Sequence, residues 1–558
     1  MNDRKLFLAL ALIMAIAIVP TFLMRRPDPK TAGAVAARDS MLPVPTQAAP
    51  PAAVPRVDSQ APAPLHEDTV VVRSALYRYA VSTQGGRIVS TRFLRYRSLA
   101  ASDNRDTLEL LTPGTGLLGG ILLSGNDTLR LDQVSFTPSA DSLDARTAPA
   151  TLTLRGQSGQ YTIELRYRFS ATDYRVDVDG TVSGLGPAGG TLLVGLGNGF
   201  RATETSATDN WSQSGIVTKF EKTKVTLFRS LKPRIVTTLN GPFEWAAVKS
   251  KYFVAGVFAY DSAGGKIKGN IAGVQAFVAD TFSSPTRAQV AASIAVPATG
   301  AFRWNLFLGP MEYDRLSRMG RDFDDVNPYG WSFLRPMIRP IAVVIRAIFV
   351  WMHTALGLGY GLVIIMFGLL VRLLLWPLNR IAMRSMARMQ AVQPMLTGLQ
   401  TRYKDNPDML RQETFKIYKE HNVNPFGGCW PMLLPYPLLV AVFFVLAYTI
   451  EVRGVSFLWM PDLARGDPLY IISILMAGSM YVMQRISQIG LPPNPQTKMM
   501  TWMMPLMMLV FFARFASGLN LYYTVQNLAS IPQQWLMVKE RMKLQGKIAP
   551  GVSVKKKG

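Results

Sequence analysis

The sequence predicts a multi-pass α-helical membrane protein that carries a large, β-rich hydrophilic domain. Three observations predict this fold class. Apolar residues crowd into one segment near the start and into the part after residue 335, residues 68–305 alternate apolar and polar side chains, and basic residues gather in short segments between the apolar spans. The chain has 558 residues, 49% hydrophobic and 17% charged. Such a segregated composition favours membrane-spanning helices with a hydrophilic insert over several soluble domains.

The charge balance and the scarcity of cysteine and histidine narrow the possible functions. Lysine and arginine number 60 against 36 acidic residues, which gives a net charge of +24. Because the basic residues lie between apolar spans, they indicate membrane topology and contact with anionic lipids more than specific binding of nucleic acid. The single Cys429 excludes an intramolecular disulfide, and three scattered histidines predict no metal site. We therefore expect no metal ion and no cofactor.

The first apolar segment, residues 6–24, is 19 residues long, or about 28 Å as a helix. A cleaved signal peptide is the main alternative, because small residues follow at 32–38. The apolar core exceeds the usual ~7–15 residues of a signal peptide, so an uncleaved transmembrane anchor is favoured. Residues 26–66 contain nine prolines, which predicts an extended linker.

Residues 68–305 have the period-two pattern of β-strands. "TVVVRSALYRYAVS" and "RIVSTRFLRY" flank the turn "TQGG", and "QYTIELRYRF" and "YRVDVDGTV" also alternate apolar with polar residues. Such runs are typical of antiparallel strands with one wetted face, and their number predicts a β-sandwich or a pair of packed sheets. No Gly-x-Ser-x-Gly, HExxH or phosphate-loop signature occurs. A structural module is therefore favoured over an enzyme, although a sugar- or peptide-binding groove stays open.

Five further apolar spans follow the β-rich region. They cover residues 360–378, 426–450, 468–483, 499–517 and 519–537, and "SGLN" between the last two predicts a tight hairpin. Residues 334–356 place three arginines (Arg335, Arg339, Arg346) among apolar and aromatic residues, which is typical of an amphipathic helix lying on the membrane. The alternative is the start of another long span.

The distribution of basic residues predicts the orientation. Residues 379–425 contain eight basic against four acidic side chains, and the C-terminal tail is basic again. The positive-inside rule places both segments in the cytoplasm. Counting spans backwards then places the N-terminus inside and the β-rich domain outside.

Arg372 in "GLLVRLLLWP" is the one charge within the apolar run 360–378. Its guanidinium could reach the head groups at the cytoplasmic surface, or it could face a wet cavity or a ligand inside the membrane. No acidic residue occurs in any of the five spans between residues 360 and 537. Either water reaches Arg372, or a transient ligand supplies its counter-charge.

Two other segments are candidate substrate-binding surfaces. The last span is rich in polar side chains (Asn520, Tyr522, Tyr523, Gln526, Asn527, Ser530, Gln533 and Gln534), and Gln484 ends the fourth. Such groups hold helices together or line one wall of a groove. Residues 379–424 predict a helical hairpin, interrupted at Pro394 and turning at 404–408, with a basic face (Arg380, Arg384, Arg388) and a methionine stripe (Met383, Met386, Met389). The stripe suits either packing or transient capture of hydrophobic segments.

Three motifs, in order, resemble those of YidC-type membrane protein insertases. They are "LLVRLLLWPLNRIAMRSMARMQAVQPML", "NVNPFGGCWPMLLPYPLL" and "SGLNLYYTVQNL". The resemblance extends over nearly the whole chain and is to the Gram-negative form, which has a large periplasmic domain and an additional first span. It implies six transmembrane helices in the bacterial inner membrane, five of them enclosing a hydrophilic groove open to cytoplasm and lipid. It also implies a periplasmic β-supersandwich.

The resemblance assigns roles to several residues. It implies that Arg372 attracts the acidic segment of a nascent membrane protein and that Tyr523 contacts substrate. The predicted groove also includes Tyr522, Asn527, Gln484 and Ser530, and the hairpin that receives substrate first includes Arg380, Arg384, Arg388, Met383 and Met386. Implied partners are nascent membrane proteins, the Sec translocon and sometimes ribosomes. Two positions depart from the pattern, because Gly368 and Pro435 stand where relatives can have polar residues.

The chain is thereby predicted to have eight consecutive segments. They are an anchor (1–25), a linker (26–66), a β-supersandwich domain (67–320), an amphipathic helix region (321–358), transmembrane helix 2 (359–378), a cytoplasmic hairpin (379–424), transmembrane helices 3–6 (425–538) and a basic tail (539–558). A secondary transporter of an anionic solute is the main alternative function. Inverted repeats would favour it, and none is evident.

Overall fold

The computed structural model describes residues 68–100, 103, 107–197, 199–260, 270–280, 288–327, 329–330, 333–404, 406–421, 436–490 and 495–548. The predicted anchor and linker, Pro435, and residues 549–558 of the basic tail lie outside these residues. In the described part, the strands fall between residues 69 and 310, and all but one of the α-helices follow residue 312.

The strands form three sheets, whose neighbours pair antiparallel except for β1 and β8, which pair in parallel. The first sheet has the order β4 (Leu108–Glu109), β3 (Ile88–Phe93), β2 (Tyr77–Ser82), β1 (Thr69–Arg73), β8 (Ser142–Asp144). The second has the order β14 (Thr223–Leu227), β13 (Gly215–Lys219), β16 (Trp245–Lys249), β17 (Phe253–Tyr260), β20 (Ala301–Pro310), β11 (Arg175–Ser183), β10 (Tyr161–Phe169), β9 (Ala150–Ser158), β7 (Phe136–Pro138). The third has the order β15 (Thr237–Phe243), β18 (Ile271–Val278), β19 (Ala288–Val296), β12 (Gly190–Gly195), β5 (Gly120–Ser124), β6 (Asp127–Arg130).

Alternation of side chains explains why these segments form sheets. In β10, Tyr161, Ile163, Leu165, Tyr167 and Phe169 are all buried, and the residues between them are polar and more exposed. Successive side chains of a strand point to opposite faces, so this pattern buries one face and wets the other. A single apolar core draws on all three sheets. The prediction of a mostly β domain in this part of the chain is confirmed.

The helices are numbered here in chain order. They are α1 (Ala207–Gln213), α2 (Tyr313–Met319), α3 (Arg335–Leu356), α4 (Tyr360–Leu374), α5 (Trp376–Ala391), α6 (Gln393–Arg402), α7 (Pro407–Glu420), α8 (Tyr436–Tyr448), α9 (Ile471–Ser487), α10 (Pro495–Phe512) and α11 (Ser517–Ile548). The last of these, α11, packs against α4, α5 and α9. It therefore connects these three helices.

The second predicted span ends earlier than expected. The helix α4 stops at Leu374, and α5 starts at Trp376. Pro377 explains the break, because proline has no backbone N–H with which to continue the hydrogen bonds of α4. Arg372 consequently lies in the last turn of its helix, not six residues before the helix ends.

The predicted hairpin at "SGLN" is also wrong. Ser517 begins α11, so these four residues form the first turn of the helix, and the connection to α10 is residues 513–516. The Asn520 side chain donates a hydrogen bond to the carbonyl of Phe512, the last residue of α10. This hydrogen bond satisfies a carbonyl at the C-terminal end of α10. The tight connection between the two helices therefore lies at residues 513–516, just before "SGLN".

Helix length separates α3 from the other apolar helices. Among the described residues, α3 alone is both long enough and apolar enough to cross a membrane by length and composition, and four other apolar helices are shorter. One side of α3 is buried (Ile338, Ala342, Ile345, Arg346, Phe349, Met352), while Met337, Val344 and Trp351 are exposed. The helix packs against α8 and α4. These observations do not establish six spans.

The loop between α8 and α9, residues 449–470, is anchored in the β domain by a buried ion pair. Arg453 Nε lies 2.9 Å from Glu204 Oε1, with side-chain exposures of 3% and 9%. The guanidinium also donates to the carbonyl of Thr203 and lies 5.5 Å from the centre of the Phe253 ring. Burial raises the pKa of the Glu204 carboxyl, and Arg453 opposes that shift. Two buried charges that satisfy each other hold the loop against the domain.

A second cluster of charges ties α3 to the same region. Arg346, only 4% exposed, lies 2.6 Å from Asp314 Oδ2 through Nη2 and 3.1 Å from Glu451 Oε1 through Nε. Two turns earlier, Arg339 pairs with Asp324 at 2.5 Å. These two arginines therefore face carboxylates of the same chain.

Removal of the Arg453 side chain tests this junction. We expect Arg453→Ala to lower the free energy of unfolding by roughly 3–5 kcal/mol, because it leaves the Glu204 carboxylate buried without its partner. The measurement is thermal unfolding of the purified protein in detergent. Arg465→Ala is the control, since Arg465 is exposed in the same loop and should change stability by less than about 0.5 kcal/mol. Equal effects of the two variants would contradict the account.

Candidate functional site

Arg372 is half-buried in the last turn of α4, beside α11. Its Nη2 donates a hydrogen bond to Oε1 of Gln533. Its Nε is buried and has no hydrogen-bond partner among the described residues. No described carboxylate pairs with it. Among the residues that the structure describes, the guanidinium is thus held by one neutral acceptor and lacks a counter-charge.

Gln533 is the residue of α11 that contacts the guanidinium, and it is only 3% exposed. Arginine has donors and no acceptor, so the amide must present its oxygen to Arg372 and turn its nitrogen elsewhere. That nitrogen, Nε2, is buried without a hydrogen-bond partner in the described part of the chain. Two adjacent side chains therefore each carry an unfilled donor.

One turn before Arg372, α4 and α11 approach each other closely at Gly368. The Gln526 side chain donates a 2.8 Å hydrogen bond to the carbonyl of Gly368. A Cβ atom added at Gly368 would lie 3.1 Å from Cγ1 of Val525. The missing side chain thus permits close packing of the two helices, and Gln526 supplies the polar group at this level. This explains the departure at 368 that the sequence left unexplained.

Another side of α11 forms side-chain hydrogen bonds with α9. Asn527 donates to Oγ of Ser479 at 3.1 Å, and Asn520 donates to Oγ of Ser473 at 2.9 Å. Ser530 donates to the carbonyl of Gln526 within α11 itself. Asn527 and Asn520 therefore hold two helices together, as polar groups in apolar surroundings commonly do. Any contact of Asn527 or Ser530 with substrate stays a prediction.

The other predicted groove residues differ in accessibility. Tyr522 is 2% exposed, and its ring lies 6.2 Å from that of Phe367 in α4. Tyr523 is half-buried and packs edge-on against Phe512 at 5.2 Å. Gln484 is half-buried in the last turn of α9. Of the two tyrosines, Tyr523 has the more solvent-exposed side chain.

Comparison with known proteins decides the family. A model described as "60Kd inner membrane protein" matches residues 351–545, and one described as "YidC periplasmic domain" matches residues 69–343. The membrane protein insertase YidC of Chlorobaculum tepidum is 31% identical over 96% of this chain and 94% of its own length. That of Chlorobium luteolum is 32% identical over 87% and 86%. The chain belongs to the YidC family of membrane protein insertases.

Family membership confirms the class of function, which is the insertion of membrane proteins and not an enzymatic reaction. The matched descriptions also name an inner membrane protein and a periplasmic domain. A crystal structure of an active YidC insertase with its first transmembrane domain resolved covers 84% of this chain and 93% of its own. Its identity is 17% and its TM-score 0.35.

The predicted cytoplasmic hairpin is a set of three helices, α5, α6 and α7. The break between α5 and α6 falls at Val392, two residues before Pro394, and Asn406 caps α7 by accepting a hydrogen bond from the N–H of Met409. Arg380 and Arg388 are exposed on α5. The side chains of Arg384, Met383 and Met386 lie outside the described residues. A substrate-receiving role for this hairpin stays a prediction.

The sequence alone does not identify two buried residues of this region. Gln533 is one of several polar residues of the last span, and nothing in the sequence pairs it with Arg372. Its spacing of seven from Gln526, two helical turns, is the signal that could have found it. Arg541 was read only as part of a basic tail, yet it is fully buried and donates to the carbonyls of Ser487 and Ile489 at the end of α9.

The close approach at Gly368 is testable with a matched pair of alanine variants. Gly368→Ala should lower the thermal stability of the purified protein, and Gly368→Val should lower it further, by about 1–3 kcal/mol, because Val525 must move. Gly478→Ala is the control, since nothing lies within 4 Å of a Cβ at this exposed position of α9. It should be neutral or stabilising by about 0.5–1 kcal/mol. If both alanines change stability alike, close packing at Gly368 is not the reason for the glycine.

Proposed function

We propose that this chain inserts nascent membrane proteins by offering Arg372 as a temporary counter-charge to an acidic segment that must cross. The observation that carries the proposal is the half-buried guanidinium whose one protein acceptor among the described residues is the neutral amide of Gln533. Transfer of a charged segment into hydrocarbon is limited by desolvation. A positive charge already placed in the membrane lowers that cost for a carboxylate.

Short helices support the same proposal. The helix α4 has 15 residues, or about 22 Å, against the ~30 Å of a typical hydrocarbon core. A bilayer thins to match a short apolar stretch. The crossing segment would then traverse less hydrocarbon, and its apolar part would leave sideways because lipid is its favoured solvent. No nucleotide hydrolysis is needed.

The proposed topology has six spans, the anchor followed by α4, α8, α9, α10 and α11. Both termini lie in the cytoplasm and the β domain in the periplasm, as the basic residues of 379–425 indicate. We place α3 along the periplasmic interface because the middle of this helix, at Arg346, pairs with Asp314 and with Glu451 just after α8. A helix that crossed the membrane would carry Arg346 towards its centre.

The proposed route begins at the cytoplasmic hairpin. Arg380, Arg388 and the 63%-exposed Ile381 on α5 combine charge with apolar surface, which suits transient contact with a nascent segment or with anionic lipid head groups. Substrate would then pass to Arg372 and Tyr523. Cooperation with the Sec translocon and contact with ribosomes follow from the family resemblance alone.

Replacement of Arg372 tests the proposal. In cells depleted of the native insertase, Arg372→Ala should reduce insertion of substrates with acidic translocated tails about tenfold, the value of one charge-assisted contact. Arg372→Lys should keep most of the activity if charge alone matters. Arg485→Ala is the control, because Arg485 is exposed at the end of α9. Wild-type insertion by Arg372→Ala would overturn the proposal.

Crosslinking from α11 locates the path of the substrate. A photo-reactive residue in place of Tyr523 should form adducts with stalled nascent membrane proteins, because this side chain is partly exposed on the proposed path. The control is the same residue in place of Leu528, which is 52% exposed and lies about 140° around the helix. Stronger adducts from 528 than from 523 would place the path on another face and contradict the assignment.

A further inference from the structure

We infer that Gln533 is the second donor of a carboxylate-binding site at Arg372 and that it makes this site select acidic segments. The inference rests on the proposed function, because it concerns the same substrate and the same arginine. It adds a residue on a different helix, 161 positions away in the chain, and a specific role for its amide nitrogen. The site would thus be shared between α4 and α11.

The unfilled atoms of the two side chains carry the inference. Arg372 Nε and Gln533 Nε2 are both buried donors, and neither has a hydrogen-bond partner among the described residues. The two side chains are joined to each other by the hydrogen bond from Arg372 Nη2 to Gln533 Oε1. Leaving a buried donor unfilled costs free energy. A carboxylate has two oxygens that only accept hydrogen bonds, so one such group offers an acceptor to each of the two donors.

A neutral amide suits the second position for a physical reason. Its oxygen holds the guanidinium in place while the site is empty, and it carries no charge that would compete with a substrate for Arg372. A glutamate there would pair with Arg372 permanently, as Glu451 does with Arg346 at 3.1 Å. A leucine would leave the guanidinium without its acceptor.

Helix packing is the alternative role for Gln533, and Gln526 is a residue of the same type that has this role. Gln526, two turns earlier on α11, already bonds α11 to α4 through the carbonyl of Gly368 at 2.8 Å. A packing residue would affect the insertion of every substrate in proportion to its effect on stability. A selecting residue would change the ratio between acidic and neutral substrates.

The experiment uses the full chain in a depletion strain and two single-span substrates. Their short translocated tails differ only in having aspartate and glutamate or the matching asparagine and glutamine. The variants are Gln533→Leu, Gln533→Glu and Arg372→Ala, and Gln534→Leu is the matched control, the same change one residue along and about 100° around α11. Insertion is scored by protease protection of the tail, and thermal unfolding of each purified variant is measured in parallel.

We expect Gln533→Leu to lower the ratio of acidic to neutral insertion about fivefold, the value of one hydrogen bond. Gln533→Glu should lower the ratio at least as far without lowering thermal stability, because the new carboxylate pairs with Arg372. Gln534→Leu should leave the ratio unchanged. Equal losses for both tails, or an unchanged ratio in both Gln533 variants, would overturn the inference. If Arg372→Ala alone lowers the ratio, the proposed function stands and the role of Gln533 fails; if Arg372→Ala leaves the ratio unchanged, the proposed function fails as well.

Discussion

Within the described part of the chain, the guanidinium of Arg372 is a membrane-helix charge without a counter-charge. Arg372 lies at the end of a short apolar helix, and the described spans offer it no carboxylate. Charged residues at such positions are costly, and membrane proteins place them where they face a partner or water. The helix α11 offers the neutral amide oxygen of Gln533 as an acceptor, which does not neutralise the charge. The packing of α11 against α4 and α9 keeps that amide in position.

Two other buried arginines, Arg346 and Arg453, are paired with carboxylates. Arg346 contacts the carboxylates of Asp314 and Glu451, and Arg453 contacts Glu204. Both lie where the helices meet the β domain, and both pairs hold elements together. A buried pair of this kind is closed to a third charge, because each partner satisfies the other. The contrast with Arg372 separates structural arginines from a site that can accept a ligand.

The sequence predicted the parts that depend on local pattern. Alternating residues such as those of β10 predict the strands, and the lone arginine of 360–378 predicts the candidate site. The end of α4 at Leu374 has a local signal in Pro377 that the hydrophobic pattern alone overlooks, whereas the start of α11 at Ser517 depends on contacts between helices. Gln533 could not be paired with Arg372 from sequence, because only the packing of α11 on α4 brings the two residues together.

The central claim is that the sign of the charge at position 372 selects the segment that crosses. The direct measurement is charge reversal in proteoliposomes without a membrane potential, so that no electrical field acts on the tail. Arg372→Glu and the native chain are compared on two substrates whose tails carry either carboxylates or lysines. The account predicts that the native chain prefers the acidic tail and that Arg372→Glu prefers the basic one. The same preference for the acidic tail in both proteins would contradict it.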